Sequence, residues 1–457
     1  MSEILFTKKD LRRLIFPLVM EQFLAMTIGA CDTVMVSSVG EAGVSGVSLI
    51  DQLTQLFIQL FAAFATGGAV VSSQYLGHKS DEKARVAARQ LLNISALAAL
   101  VIIAVCLPSR RLILNFIYGG SGEEVMRSAL IYFVWVLVSF PFLAVYNSCA
   151  ALYRSMGNSK VSLKVSLLMN LTNISGNAVL IYGAGIGVAG AGIATLLSRV
   201  VAAGVMIYLL ARPSAKSRGR IYFERLWRVE IRFDMIRKIL KVAVPSGIEN
   251  SVFHIGKIFV YSFMSGFGLA AIAANAITNT IASFSNIPAQ AIGLSSVTVI
   301  GQCIGADEKE QARFYGRKMM VAAYIGMFCV AGAIFISAPV LVRAFNLSEG
   351  ARALATGVIR TCMVANIFFW PMSFTMPNIL RASGDAKFTM IVSNISMWLF
   401  RVLFSFLISR YLLFKFPENT SLALYGLWFG MYIDWVFRGI CFGLRFHGSR
   451  WLEKKVI

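Results

Sequence analysis

The chain has 457 residues, of which 57% are hydrophobic and 14% charged, with a formal net charge of +21. A soluble domain carries roughly 25% charged residues, so this composition excludes one. The apolar residues come in runs of about 20–30, not in the roughly 10-residue alternating segments of a membrane β-barrel. Lys and Arg sit in the loops that flank these runs, which reads as membrane topology and not as nucleic-acid binding.

The expected fold class is all-α and polytopic, with twelve transmembrane helices in two pseudo-symmetric six-helix lobes. The spans run over 12–38, 46–76, 88–108, 128–153, 160–183, 187–211, 236–265, 270–303, 312–340, 352–380, 387–413 and 422–446. The first stretch, MSEILFTKKDLRR, carries no signal-peptide cleavage site, so span 1 is expected to be retained. Span 1 contains Pro17, Glu21 and Asp32. An acid at the centre of a span costs roughly 2.5–3.5 kcal/mol, which makes each a candidate functional residue. The longest polar stretch, Arg212 to Asp234, divides the chain into an N-terminal lobe (1–211), a basic cytoplasmic linker (212–234) and a C-terminal lobe (235–457).

Orientation follows from Lys and Arg. With the N-terminus inside, 31 of them fall in cytoplasmic segments and 7 in external ones, so both termini are expected in the cytoplasm. Seven cysteines lie in or beside apolar runs, without CxxC or Cys/His spacing, and read as buried hydrophobes.

The halves repeat. At an offset of 228, Pro17 matches Pro245, Glu21 matches Glu249, Gly40 matches Gly268, Gln74 matches Gln302, and Arg85 and Arg89 match Arg313 and Arg317. At an offset of 227, RSMGNSK from Arg154 matches RASGDAK from Arg381. Six spans per half is even, so both repeats enter the membrane from the same side. Two parallel repeats are a transporter architecture with its site where the halves meet.

Candidate cation ligands follow from depth. Asp32 in span 1, Asn177 in span 5 and Thr195 in span 6 each lie about 9–12 Å below the outer surface at 1.5 Å per residue. Asn173 lies one turn deeper than Asn177 on the same face. One carboxylate, two amides and a hydroxyl are hard oxygen donors, suited to a small cation such as Na+ or to a proton site. The second half does not copy this set: Asp32 maps to Val260, and the two asparagines map near Phe400 and Phe404. It carries other buried charges instead. Glu249, His254 and Lys257 lie on span 7, Arg401 on span 11, and Asp434 and Arg438 on span 12. Asp434 and Arg438 are spaced i, i+4 for an intrahelical ion pair. Lys257 needs a partner, for which Asp434 or Glu249 is available. These charges are candidates for a second charge relay or a substrate contact; Pro17, Glu21 and Pro245 are candidates for the cleft or hinge.

Taken together, PLVMEQ from Pro17, DTVMVSSVG from Asp32, the stretch from Gly67-Gly68 to Gly77, RSMGNSK from Arg154, GAGIAT from Gly190, PSGIEN from Pro245, AAIAANAI from Ala270, GQCIGA from Gly301 and LRASGDAK from Leu380 resemble the multidrug and toxic compound extrusion (MATE) transporters over the whole length. The resemblance implies export of amphipathic, often cationic, organic compounds, driven by inward flow of sodium ions or protons. It points to Asp32, Asn173 and Thr195 as first-lobe cation ligands. Asn177 departs from the family pattern, with an amide where an acid is common, and leaves the choice of ion open.

The expected protein is therefore a secondary antiporter of the inner (cytoplasmic) membrane, a monomer among lipids, with a small organic substrate and no nucleic-acid partner. No cofactor beyond the coupling Na+ or H+ and no catalytic residue are expected. Two other readings remain. One is a lipid or lipid-linked oligosaccharide flippase of the same superfamily, which would concentrate Arg and Lys around its substrate. The other is a channel or membrane sensor, which would not need the duplication.

Overall fold

The computed structural model describes residues 4–212, 221–223, 230–345, 347–417 and 419–457, apart from the side chains of residues 28–33, 265 and 420. Much of the Arg212–Asp234 segment, expected as the basic linker, lies outside the described residues.

The described chain is helical throughout, and all twelve expected spans are present in it. The N-terminal set comprises α1 (Lys8–Ser37), α2 (Glu41–Gly77), α3 (Asp81–Cys106), the short α4 (Arg110–Tyr118), α5 (Glu123–Ser155), α6 (Ser159–Asn177) and α7 (Gly187–Ala211). Then follow α8 (Phe233–Phe263), α9 (Leu269–Ser285), α10 (Ile287–Gly305), α11 (Lys309–Arg343), α12 (Glu349–Trp370), α13 (Met376–Ser383), α14 (Ala386–Ser396), α15 (Ser405–Lys415) and α16 (Thr420–His447). Among the described residues, nine helical stretches are long and apolar enough to cross a membrane; α1, α8 and α16, which carry the buried Glu21, Glu249, Asp434 and Arg438, complete the twelve. The eighth span is broken into α9 and α10 at Asn286, because Pro288 supplies no amide to the preceding turn.

Two compact units are defined, one of residues 6–247 and one of 248–456 with Ile4 and Leu5. Their boundary falls inside α8, next to Pro245. The first half of α8 belongs to the N-terminal unit: Lys238 Nζ donates to Tyr75 Oη at 2.8 Å. Gly67 is what lets α2 approach there, since a Cβ on it would lie 2.7 Å from the Ile239 carbonyl.

The repeat is written into the backbone. Left-handed φ angles recur at matched positions: Gly40 (106°) and Gly268 (84°), Lys79 (57°) and Asp307 (61°), Gly157 (78°) and Gly384 (109°). The last pair closes its helices in the same way. Gly157 N donates to Arg154 O and Asn158 N to Tyr153 O; Gly384 N donates to Arg381 O and Asp385 N to Leu380 O. This is the Schellman closure that favours glycine.

Three π-helical segments interrupt the spans: Ala178–Gly183 after α6, Pro371–Thr375 after α12, and Met397–Phe404 between α14 and α15. Such wide turns are frequent at functional sites, and each lies beside one of the two cavities described next.

Candidate functional site

The N-terminal unit encloses a cavity of about 280 Å³. Asn173, Asn177 and Thr195 all line it, so the structure brings together three of the four expected cation ligands. Asn177 Nδ2 donates to Asn173 Oδ1 at 3.3 Å, and Asn173 Nδ2 donates to Thr195 Oγ1 at 3.4 Å. Thr195 Oγ1 in turn donates to the Ala191 carbonyl at 2.9 Å. This chain of donors leaves amide and hydroxyl lone pairs for a cation. Asn173 and Asn177 sit on the last turns of α6, where the helix widens into its π segment.

The fourth expected ligand, Asp32, lies on α1, and its side chain falls outside the described residues.

Two charged residues in the same cavity were not among the sequence candidates. Asp51, on α2, accepts from Tyr132 Oη at 3.4 Å. Arg199, one turn after Thr195 on α7, donates from Nη1 to Ser139 Oγ at 2.6 Å. Their signal was present, since each is a lone charge in an otherwise apolar span.

The C-terminal unit encloses a second cavity, of about 270 Å³, with a different lining. Its walls are aromatic: Trp370 stacks on Phe374 at 4.9 Å, and Phe374 meets Phe253 and Trp435 edge-on. Asn275, Asn279, Asn286, Gln290 and Asn366 supply amides, and Lys257 and Arg401 supply positive charge.

The expected pairing of Lys257 with Asp434 or Glu249 does not occur. Asp434 is fully buried and engaged elsewhere. Arg438 Nε lies 3.0 Å from Oδ1 in the anticipated i, i+4 pair, Arg401 Nε lies 3.8 Å from Oδ2, and the Ser396 hydroxyl donates to Oδ1. Glu249 is held two turns earlier on α8 by Arg381 Nη2 at 2.7 Å and by Ser393 Oγ at 2.7 Å. His254 packs edge-on against Phe253 at 6.2 Å and does not join the acids in a relay.

Glu249 has its repeat counterpart in Glu21. Glu21 accepts from Ser162 Oγ at 2.7 Å and pairs with Arg154 Nη1 at 3.6 Å. Both carboxylates thus tie the first helix of a repeat to the RSMG or RASG block, as its arginine requires. Pro17 and Pro245 lie inside their helices one turn before these acids. Pro17 has no amide for the Arg13 carbonyl. Ser159 Oγ compensates, at 3.3 Å from that oxygen and 2.6 Å from Leu14 O.

A duplicated set of membrane-spanning helices, with a polar cavity inside each unit, defines a multi-pass helical transporter. The chain belongs to the MatE family of multidrug efflux transporters, whose family model matches residues 17–179 and again 245–407, two stretches related by the repeat offset. It is 27% identical over 450 residues to the uncharacterized transporter YisQ of Bacillus subtilis, covering 96% of this chain and 94% of that protein. It is 26% identical over 458 residues to the probable multidrug resistance protein NorM of Thermotoga maritima, covering 98% and 94%. Its fold matches a crystal structure of MATE in complex with MaL6, with a TM-score of 0.87, 22% identity and 97% of each chain covered. A MOP superfamily transporter from Pyrococcus furiosus matches with a TM-score of 0.86, 22% identity, and 97% and 96% covered.

Proposed function

We propose that the protein is a secondary antiporter that exports amphipathic organic compounds across the cytoplasmic membrane in exchange for Na+ or H+, by alternating access. The observation that carries this reading is the convergence of Asn173, Asn177 and Thr195 in one cavity. In this mechanism Asp32 supplies the charge and the three neutral groups supply oxygen ligands. Asp51 and Arg199 bring opposite charges to the same cavity, and in this reading the charge that one entering cation neutralises is that of Asp32. Neutralisation removes the cost of an isolated carboxylate in the membrane. That difference biases α1, with Pro17 as its natural bending point, toward one of two arrangements. The cytoplasmic placement of both termini and a monomeric state belong to the same proposal, the former supported by the distribution of Lys and Arg.

The test is transport into proteoliposomes under imposed sodium or pH gradients, with wild type beside Asp32→Asn. Gradient-driven transport is expected to vanish in the variant, and the gradient that drives the wild type identifies the ion. Undiminished transport by Asp32→Asn overturns the proposal.

A further inference from the structure

We infer that the cavity of the C-terminal unit binds an organic anion: a carboxylate, sulfonate or phosphate carried on a flat aromatic body. This rests on the reading of the chain as an exporter, and it names the charge of a compound that it takes, opposite to the cationic substrates the sequence resemblance favours.

The argument is one of unmet donors. Arg401 is 6% exposed and lines the cavity; it is paired with Asp434 at 3.8 Å, too long for a hydrogen bond, and its Nε and Nη1 have no hydrogen-bond partner. Lys257 lines the same cavity, and neither Asp434 nor Glu249 pairs with its ammonium, since both are held by arginines. Trp435, another wall residue, has an indole N–H in the same condition. The buried amide oxygen of Asn366, another lining residue, also has no donor. Among the described residues no carboxylate lines the cavity, and Asp434, outside that lining, is shared by Arg401 and Arg438. A buried donor without an acceptor is costly, and more so when charged. A cavity so rich in donors gains most from a guest that brings negative oxygen atoms, through charge-assisted hydrogen bonds.

The walls specify the rest of the guest. Phe253 lies under both Arg401 (4.9 Å) and Arg438 (5.7 Å). Trp370, Phe374, Trp428 and Trp435 complete an aromatic enclosure, so a ring placed between them meets faces and edges at once. Trp428 is held in place by its Nε1 bond to Asn275 Oδ1 at 3.1 Å. The wide π turn at Met397–Phe404 is what delivers Arg401.

The test uses the purified full-length protein in detergent and isothermal titration calorimetry with naphthalene-2-sulfonate. The neutral sulfonamide and the 2-naphthylmethylammonium cation serve as shape-matched controls. The sulfonate is expected to bind, and the sulfonamide and the cation to bind at least about tenfold more weakly. Lys257→Gln is expected to cost the sulfonate about tenfold in affinity, with Lys257→Arg restoring most of it. Because Lys257 forms no ion pair with Asp434 or Glu249, both variants are expected to fold, and their melting temperatures check this. Equal affinity for the cation and the sulfonate, or unchanged affinity in Lys257→Gln, overturns the inference. An anionic lipid headgroup offers the same chemistry, so the titration is repeated in nanodiscs with and without phosphatidylglycerol. Binding that survives the lipid supports a soluble anion, and binding abolished by it overturns that assignment. The assay involves no gradient. Sulfonate binding without gradient-driven transport of any compound sinks the exporter reading alone, and transport without sulfonate binding sinks this one alone.

Discussion

Glu249 is 6% exposed and its carboxylate is held by Arg381 and Ser393. Removing one partner of a buried pair strands the other charge, which costs about 3–5 kcal/mol. Its repeat counterpart is looser: Arg154 lies 3.6 Å from Glu21, against 2.7 Å for Arg381 and Glu249. Arg381→Leu is therefore expected to destabilise by about 3 kcal/mol. Arg154→Leu should cost visibly less, about 1–2 kcal/mol, because the longer contact has less attraction to lose. Unfolding titrations in mixed micelles check the order, and equal costs contradict it. At this scale the sequence was legible where a repeat doubled the signal. The offset pairs Glu21 with Glu249 and Arg154 with Arg381 without any structure. It says nothing about which acid meets which base, because that depends on helix neighbours distant in sequence. Lys257 shows the limit: the rule that a buried lysine needs a partner is sound, but both proposed acids are engaged by arginines nearer to them.

At the scale of elements, length and hydropathy located the twelve spans because the bilayer imposes one thickness on all of them. The π segments were not legible, since a wide turn is imposed by packing and not by local propensity. The glycine closures were partly legible as repeated motifs, and they yield a comparison. Gly157 and Gly384 share a left-handed backbone, which any side chain strains. A Cβ on Gly157 meets open space, whereas one on Gly384 would lie 2.1 Å from the Lys454 carbonyl. Gly157→Ala is expected to cost about 1 kcal/mol. Gly384→Ala should cost about 2–3 kcal/mol, because the C-terminal segment must also move. Melting temperatures in detergent separate the two, and indistinguishable variants refute the argument. Ser159 is a second element-scale case. If its hydroxyl serves the carbonyl freed by Pro17, Ser159→Ala costs about 1 kcal/mol in wild type and less in a Pro17→Ala background, where an amide returns to that carbonyl. Identical costs in both backgrounds would show that the strap and the proline are unrelated.

For the whole molecule, the duplication has diverged in chemistry while keeping its frame. The left-handed positions and the first-helix carboxylates recur, but Asn173, Asn177 and Thr195 line a cavity in one unit, and aromatic rings with Lys257 and Arg401 line that of the other. The two cavities have no lining residue in common. A cation in the first therefore affects an anion in the second only through the conformational equilibrium of the protein, and such coupling is reciprocal. In an antiporter the cation favours the arrangement that has released its substrate. Saturating the first site, by sodium or by acidification according to the coupling ion, is thus expected to weaken naphthalene-2-sulfonate binding about fivefold or more. The sulfonate must weaken cation binding by the same factor. Asp32→Asn removes the charge that the cation neutralises, so its sulfonate affinity should no longer respond to the cation. Lys257→Gln should lower the affinity but keep the response. Calorimetric titrations of the three proteins across a cation series measure both effects. A cation response in Asp32→Asn equal to that of the wild type would show that the oxygen cluster of the N-terminal unit does not govern the exchange.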